Sequence, residues 1–130
     1  MESLIQQAFQ KTFGKENDWK VETSDVVQKA NEAFGLDYKQ AKIAVVGAGG
    51  GGNNTITTLY EMGIGGADTF AFNTDAKHLY ITKAGKKILM GKELTRGLGA
   101  GGYPDVGKKA AEESAREIKE SLNGVDMIFL

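Results

Sequence analysis

The sequence has no cysteine, one proline and one histidine in 130 residues. The lack of cysteine excludes disulfides, thiolate nucleophiles and cysteine-based zinc sites, and it is compatible with a reducing cytoplasm. A single histidine, His78, argues against a histidine-rich metal site and against a Ser-His-Asp triad. There is no apolar run of about 18 residues, the length that a membrane span requires. The first residues also lack the basic and apolar segments of a secretory signal. We therefore expect no direct membrane insertion.

Charge of neither sign is in excess, since 16 Lys and Arg residues face 17 Asp and Glu residues. Nucleic-acid-binding proteins carry a basic excess or stripe, so we expect no nucleic-acid partner. Glycine is the residue in excess, with 18 of 130 positions, about twice its average use. Most glycines lie in residues 47–66 and 91–107, whereas residues 1–40 hold only Gly14 and Gly35.

This change in composition divides the chain near residue 40. Residues 1–40 carry two stripes of apolar residues at helical spacing, which predicts a helical N-terminal extension of two short amphipathic helices. Gly35 is expected to end the second helix. The extension either packs on the main domain or acts as a detachable arm that binds a partner. The stripes consist of Leu4, Ile5, Ala8, Phe9 and Phe13, and of Val26, Val27, Ala30, Ala33 and Phe34.

Residues 41–130 alternate between short apolar runs and helical patterns, which predicts an α/β domain with a Rossmann-like parallel sheet and flanking helices. By analogy with Rossmann-like sheets, we expect the strand order 3-2-1-4. Strands are expected at 43–46, 67–72, 86–90 and 125–130, and helices at 55–62, at 75–82 and from Pro104 to about residue 122. The charged residues of the last helix, such as Lys109 and Glu113, are interpreted as a solvent-exposed face.

A run of glycines from Gly47 to Gly52, interrupted only by Ala48, follows the first strand and opens a helix. Backbone N–H groups and the helix dipole attract anions at such a position, and the missing Cβ lets a phosphate approach closely. The run fits G-x-G-x-x-G through Gly47, Gly49 and Gly52. No Lys-Ser/Thr follows, so this is not a Walker A loop, and backbone donors, a metal ion or both would have to meet the phosphate charge. The alternative is a tight turn whose glycines serve packing only.

Three asparagines and one aspartate lie close to the carboxyl ends of the first and second predicted strands. Asn53 and Asn54 begin the first helix, where they can cap it or reach a bound nucleotide. Asn73 ends the second strand, about 20 residues after the glycines, where an acid would hold the ribose in a Rossmann enzyme. Asp75 follows two residues later and could instead cap the next helix.

A second glycine-rich loop, residues 94–102, follows the third strand. The carboxyl ends of parallel strands meet at one edge of a sheet, so both loops should lie there and could close on a phosphate chain from two sides. A dinucleotide-binding domain has no need of this second loop. Lys92 and Arg96 could add positive charge or simply be solvated.

Four strings of the sequence resemble the FtsZ family, the tubulin-like cell-division GTPases of bacteria and archaea. They occur in the family's order and at its spacing, and together they cover about residues 42–130. The GNNT variant of the first loop and the helical extension are similar to archaeal members. The strings are KIAVVGAGGGGNNTIT, FNTDA, KKILMGKELTRGLGAGGYPDVGKKAAEES and NGVDMIFL.

The resemblance implies the N-terminal half of an FtsZ/tubulin GTPase domain. Such a domain binds GTP or GDP with Mg²⁺, polymerises head to tail with other FtsZ subunits, and forms the division ring in the cytoplasm. Asn73 and Asp75 would lie near the phosphates and the metal, and Ala100 and Gly101 would approach the γ-phosphate through their backbone. The other nucleotide-binding positions implied by the resemblance are Gly50, Gly51, Gly52, Asn53 and Asn54.

The family's GGGTGTG motif follows the strand that residues 125–130 match, and the sequence stops before it. The residues that read the base and ribose, and the acidic loop that supplies carboxylates to a neighbouring subunit, are also absent. We therefore expect residues 41–130 to be an incomplete nucleotide-binding domain that does not hydrolyse GTP alone. We also expect two copies to associate, either by shielding each other's apolar last strand or by exchanging their N-terminal helices. Two alternatives stay open: a short non-catalytic regulator of FtsZ filaments, and an NAD(P)-binding Rossmann module.

Overall fold

The computed structural model describes residues 23–130, so the helix predicted around residues 4–13 lies outside the described residues. The chain divides into two compact units, Met1–Gln40 and Ala41–Leu130. In the first unit, helix α1 spans Thr23–Phe34, and Gly35 follows it with a φ of +63°, as expected of a glycine that ends a helix. The Asn31 amide donates to the Tyr38 carbonyl at 2.8 Å and accepts the Tyr38 N–H at 2.9 Å, which folds the chain back after α1.

The second unit is built on a four-stranded parallel sheet. Its strand order is β3-β2-β1-β4, which confirms the predicted order. In the central strand, Ile43 pairs with Ala67 of β2 on one side and with Met127 of β4 on the other. The strands are β1 (Ile43–Ala48), β2 (Ala67–Asn73), β3 (Lys86–Leu89) and β4 (Met127–Phe129), and the helices are α2 (Gly49–Met62), α3 (Ala76–Ile81), α4 (Lys92–Thr95), α5 (Pro104–Glu113) and α6 (Ala115–Ser121).

Apolar side chains cover both faces of the sheet, which accounts for the uninterrupted apolar sequence of β1 and for the apolar residues 70–72 of β2. Successive residues of a strand point to opposite faces, so β1, β2 and β3 each contribute to two clusters. On one face, Ile118 and Leu122 at the end of α6 pack against Ala44, Val46, Phe70, Phe72 and Ile88. On the other face, Ile56 of α2 and Leu79 of α3 pack with Val45, Leu59, Ala71, Ala84 and Leu89.

Several boundaries differ from the sequence prediction. Helix α2 begins at Gly49, six residues before the predicted start, because the glycines pack against the end of β1 and form its first turn. The helix predicted from Pro104 to about residue 122 breaks at Ser114, whose hydroxyl accepts the Gly91 N–H at 3.0 Å. Strand β4 is shorter than predicted, since the carboxylate of Asp126, just before it, accepts the N–H of Lys42 at 2.8 Å.

Helix α4 precedes and overlaps the start of the second glycine-rich loop, where no helix was predicted. Across residues 23–130, none of the helices combines the length and the apolar character that crossing a membrane would need.

Candidate functional site

Both glycine-rich loops lie at the carboxyl edge of the sheet, with the turn after β2 between them. The N–H of Ala76 donates to the Gly97 carbonyl at 3.0 Å, and the N–H of Gly99 donates to the Thr74 carbonyl at 3.1 Å. Asp75 and Leu98 also form an antiparallel bridge. The second loop is therefore held against the turn by backbone contacts, as the shared edge of the strands predicted.

The glycines of the first loop serve different purposes. A methyl group on Gly47 would lie 2.3 Å from the Gly52 carbonyl oxygen and 2.5 Å from Ile56, so this position must stay small for α2 to pack on β1. Gly49 has a φ of +71°, a conformation that other residues rarely adopt. A methyl group on Gly50 would lie 3.2 Å from the His78 ring. The interpretation that these glycines serve packing thus holds for Gly47 and Gly52.

Gly51 is the exception. Its φ does not lie in the left-handed region, and a methyl group there would meet no atom of the described residues within 4 Å. Neither conformation nor internal packing within residues 23–130 therefore requires glycine at this exposed position. Gly51 lies in the first turn of α2, whose N-cap residue, Ala48, makes no side-chain hydrogen bond to the helix. The open space beside these N–H groups is where an anion could approach the helix terminus.

The Asn53 side chain does not face this space, because it is fully buried. Its Nδ2 donates to the Gly47 carbonyl at 2.9 Å and to the Phe72 carbonyl at 3.2 Å. Its Oδ1 accepts from Asn73 Nδ2 at 2.9 Å. The sequence predicted that the Asn53 amide caps the helix or contacts a nucleotide. In the structure it instead makes hydrogen bonds in the protein interior. The Asn53 side chain is therefore not available to a ligand.

Asn54, by contrast, is exposed, and its Oδ1 lies 3.0 Å from Nε2 of His78. The His78 ring lies beside Gly50, so this pair forms one rim of the first loop. His78 is half-buried, and its position beside Gly50 gives the ring a packing role. Asn54 is the amide of the predicted pair that faces outward.

Asp75 is the N-cap of α3, one of the two roles that the sequence left open. Its Oδ1 accepts the N–H of His78 at 3.0 Å, and its own N–H donates to Asn73 Oδ1 at 3.0 Å. Asp75 is only half-buried. A carboxylate has a second oxygen, so Asp75 can cap α3 and still offer a ligand to a cation at the edge of the loops.

The second loop is shaped by residues that the sequence analysis did not assign to it. Glu113 of α5 accepts the N–H groups of Glu93 and Leu94 at 3.0 and 3.1 Å, so its carboxylate caps α4. This corrects the interpretation of Glu113 as part of a merely solvated face. Arg96, at the other end of α4, has a φ of +51° and is exposed.

Ala100 and Gly101 lie further along the same loop, just before α5. The Ala100 carbonyl accepts the N–H of Tyr103 at 3.2 Å, and Gly101 is exposed with a φ of +64°. Within residues 23–130, no backbone hydrogen bond joins either residue to the first loop.

This edge of the sheet could hold a magnesium ion only together with a phosphate-bearing ligand. In the described part of the chain, no group of three or more His, Asp and Glu side chains could hold a metal ion. Mg²⁺ is typically bound through one or two carboxylates together with substrate phosphates and several waters. Asp75, half-buried next to both loops, can supply such a carboxylate.

A cavity and the ion pair of Lys83 and Glu61 lie away from the loops. A cavity of about 300 Å³ lies at the amino ends of the strands, lined by Tyr60, Ile64, Asp68 and neighbouring residues. The pKa of Lys83 is raised because its ammonium group donates a hydrogen bond to Glu61, with the charge of that carboxylate adding to the effect. Glu61 lies at the C-terminal end of α2, opposite the glycine loop. Neither feature contributes to the candidate site.

The comparisons with known proteins agree on one family. The profile of the Tubulin/FtsZ family, GTPase domain, matches residues 42–130. The chain is 52 % identical over 107 residues to cell division protein FtsZ 2 of Methanocaldococcus jannaschii, covering 82 % of the chain and 27 % of that relative. It is 50 % identical over 130 residues to cell division protein FtsZ 2 of Pyrococcus furiosus, covering 100 % of the chain and 30 % of that relative.

A solved structure of an empty FtsZ dimer from M. jannaschii has the same fold. Its TM-score is 0.70 at 53 % sequence identity, over 83 % of this chain and 30 % of the dimer's chain. The chain thus spans less than a third of the length of these relatives.

Proposed function

The chain belongs to the Tubulin/FtsZ family, and we propose that its two glycine loops bind the phosphates of GTP or GDP as the first part of a GTPase domain. The observation that carries the proposal is the open space at Gly51 beside the first turn of α2. Backbone N–H groups at a helix N-terminus bind phosphate without a lysine. A glycine that no internal contact among the described residues demands is what close approach of a phosphate would need.

The site residues divide into three kinds in this proposal. Gly50 and Gly51 offer backbone N–H groups that the helix leaves free in the first turn of α2, Gly52 and Asn53 follow them in the helix, and Asn54 adds an outward amide. Asp75 holds Mg²⁺ together with the phosphates, and Mg²⁺ supplies positive charge to the phosphate chain when bound. Ala100 and Gly101 approach the terminal phosphate through their backbone from the second loop.

Residues 41–130 then act as an incomplete nucleotide-binding domain, preceded by the helical extension of residues 1–40. The loops supply phosphate contacts, whereas recognition of guanine requires further groups. Asp75, the carboxylate beside the loops, caps α3 with one oxygen and holds Mg²⁺ in this proposal, so it does not serve to activate water. We therefore assign GTP hydrolysis to the full-length protein and expect no turnover by this chain alone.

For the full-length protein we propose head-to-tail assembly with other FtsZ subunits during cell division, at the division site in the cytoplasm. Two observations support this: the relatives are named cell division protein FtsZ, and the related solved structure is a dimer. Membership in this family decides against the NAD(P)-binding module that G-x-G-x-x-G alone left open.

Equilibrium dialysis of the 130-residue chain against GTP, GDP and guanosine tests the proposal. We expect GTP and GDP to bind in the millimolar range, because only phosphate contacts are available, and guanosine to bind less than either. Gly51→Trp should abolish GTP binding by filling the space at the helix terminus. Gly65→Trp is the matched control, because Gly65 is also open and free of a left-handed φ but lies beyond the other end of α2. Equal GTP binding by Gly51→Trp and Gly65→Trp would refute the proposal.

A further inference from the structure

The side chains of Asn53 and Asn73 connect the segments that make the proposed phosphate site. Asn53 Nδ2 contacts the carbonyls of Gly47 at the end of β1 and of Phe72 at the end of β2. Asn73 Nδ2 then donates to Asn53 Oδ1 at 2.9 Å, and Asn73 Oδ1 accepts the N–H of Asp75 at 3.0 Å. These four hydrogen bonds, which we call the amide relay, run from the first glycine loop to the backbone N–H of Asp75, beside the second loop.

The direction of the relay is fixed by its chemistry. Two carbonyl oxygens face one end of the Asn53 amide, so that end must be the NH₂ group and the other end must be the oxygen. The Asn73 amide must then turn its NH₂ group toward Asn53 and its oxygen toward the Asp75 N–H. No other orientation of the two amides satisfies all four bonds, so each side chain specifies the position of the next.

Burial makes the relay stiff. Asn53 is 0 % exposed and Asn73 is 5 % exposed, so water cannot readily replace a lost partner. Leaving a buried polar group unpaired costs more than a hydrogen bond contributes, and buried polar networks specify a single arrangement when every member is satisfied. The described residues contain no buried side-chain nitrogen or oxygen without a partner.

We propose that Asn53 and Asn73 are positioning residues, which set the distance between the first glycine loop and Asp75 for a bound phosphate–Mg²⁺ group and do not touch the nucleotide through their side chains. The inference rests on the proposed function of the loops. It differs from what the family resemblance implied for these two residues, namely that they lie against the ligand. The position of the second loop is set by the same residues, because that loop is hydrogen-bonded to the same turn through Thr74 and Ala76.

The test compares Asn73→Ala with Thr69→Ala in the 130-residue chain. Thr69 is the matched control, because it is 5 % exposed and its Oγ1 accepts the Gly85 N–H at 2.8 Å at the opposite edge of the sheet. For each variant, GTP affinity is measured with and without Mg²⁺, and hydrogen exchange of the Asp75 amide is followed by NMR. In Asn73→Ala, we expect the Asp75 amide hydrogen to exchange at least tenfold faster. We also expect the Mg²⁺-dependent gain in GTP affinity to fall at least fivefold. Thr69→Ala should retain that gain.

Asn73→Ser separates the two links of the relay. A serine hydroxyl can accept the Asp75 N–H in the same kind of turn, but it is too short to reach Asn53. We expect the Asp75 amide to stay protected while the Mg²⁺-dependent gain stays reduced. Recovery of the full Mg²⁺-dependent gain by Asn73→Ser would contradict the relay and leave the local turn as the explanation. An equal loss of that gain in Asn73→Ala and Thr69→Ala would also contradict the relay. If the unaltered chain binds no GTP, the proposed function fails, and unchanged Asp75 exchange in Asn73→Ala would separately overturn the relay.

Discussion

Gly47 and Gly52 lie in backbone contact, and a methyl group on Gly47 would sit 2.3 Å from the Gly52 carbonyl oxygen. This contact joins the end of β1 to the first turn of α2 and places the helix N-terminus at the sheet edge. Gly47 and Gly51 belong to one glycine run, yet only Gly47 is held by internal packing. Their substitutions should therefore have different effects.

Gly47→Ala should lower the free energy of unfolding by about 1–3 kcal/mol, since the backbone of α2 must move to admit the methyl group. Gly51→Ala meets no obstacle among the described residues and replaces a helical glycine, so it should raise the stability by up to about 1 kcal/mol. Urea unfolding of the two variants measures the difference. Equal destabilisation would show that Gly51 also serves packing.

Asp75 has two roles in this account, and Asp75→Asn separates them. Asparagine is as good an N-cap as aspartate, so the free energy of unfolding should change by less than about 0.5 kcal/mol. The charge that would bind Mg²⁺ is lost, so Mg²⁺ should no longer strengthen GTP binding. Calorimetry with and without Mg²⁺ measures this, with Asp68→Asn as a control at the start of β2. A Mg²⁺ effect that survives in Asp75→Asn would remove Asp75 from the metal site.

Glu113 should matter more to stability than its neighbour Glu112. Glu113→Ala removes the carboxylate that accepts two N–H groups of α4, and the loss of a capping side chain costs about 0.5–2 kcal/mol. Glu112→Ala removes an equally charged, exposed side chain of the same helix and should be nearly neutral. Thermal unfolding compares the two, and a neutral Glu113→Ala would contradict the capping role.

The apolar runs of β1 and β2 and the position of the glycines were sufficient to predict the sheet and the edge at which the loops lie, whereas its strand order came from analogy with Rossmann-like sheets. These features follow from local patterns and from the handedness of strand–helix–strand units. The burial of Asn53 could not be predicted in the same way. It depends on carbonyl groups of Gly47 and Phe72 that only the folded sheet brings together, and an asparagine near a helix start is usually an exposed cap.

The break at Ser114 and the cap by Glu113 were missed for a similar reason. Both depend on residues 91–94, which lie about 20 positions away in sequence and meet the end of α5 only in the folded structure. A serine within a helical pattern was the one local sign, because serine competes with the helix backbone for hydrogen bonds.

Strand β4 is an edge strand of the described sheet, and its residues Met127, Ile128 and Phe129 are 52 %, 50 % and 55 % exposed. Exposed apolar edges promote pairing with another chain, so we predict that the 130-residue chain self-associates. Ile128→Lys should weaken this association, whereas Lys109→Glu on the exposed face of α5 should not. Light scattering after gel filtration measures it, and a single 13.9 kDa species at tens of micromolar would contradict the prediction.

The most direct test of the central claim is a titration of the ¹⁵N-labelled chain with GTP and Mg²⁺, followed residue by residue through the amide chemical shifts. We predict the largest shifts in the first loop at residues 49–52, in the turn at residues 73–76 and in the second loop at residues 97–102, saturating together in the millimolar range. Largest shifts around the cavity of Tyr60, Ile64 and Asp68, or no shifts at any of the three segments, would contradict the assignment of the glycine loops as a GTP phosphate site.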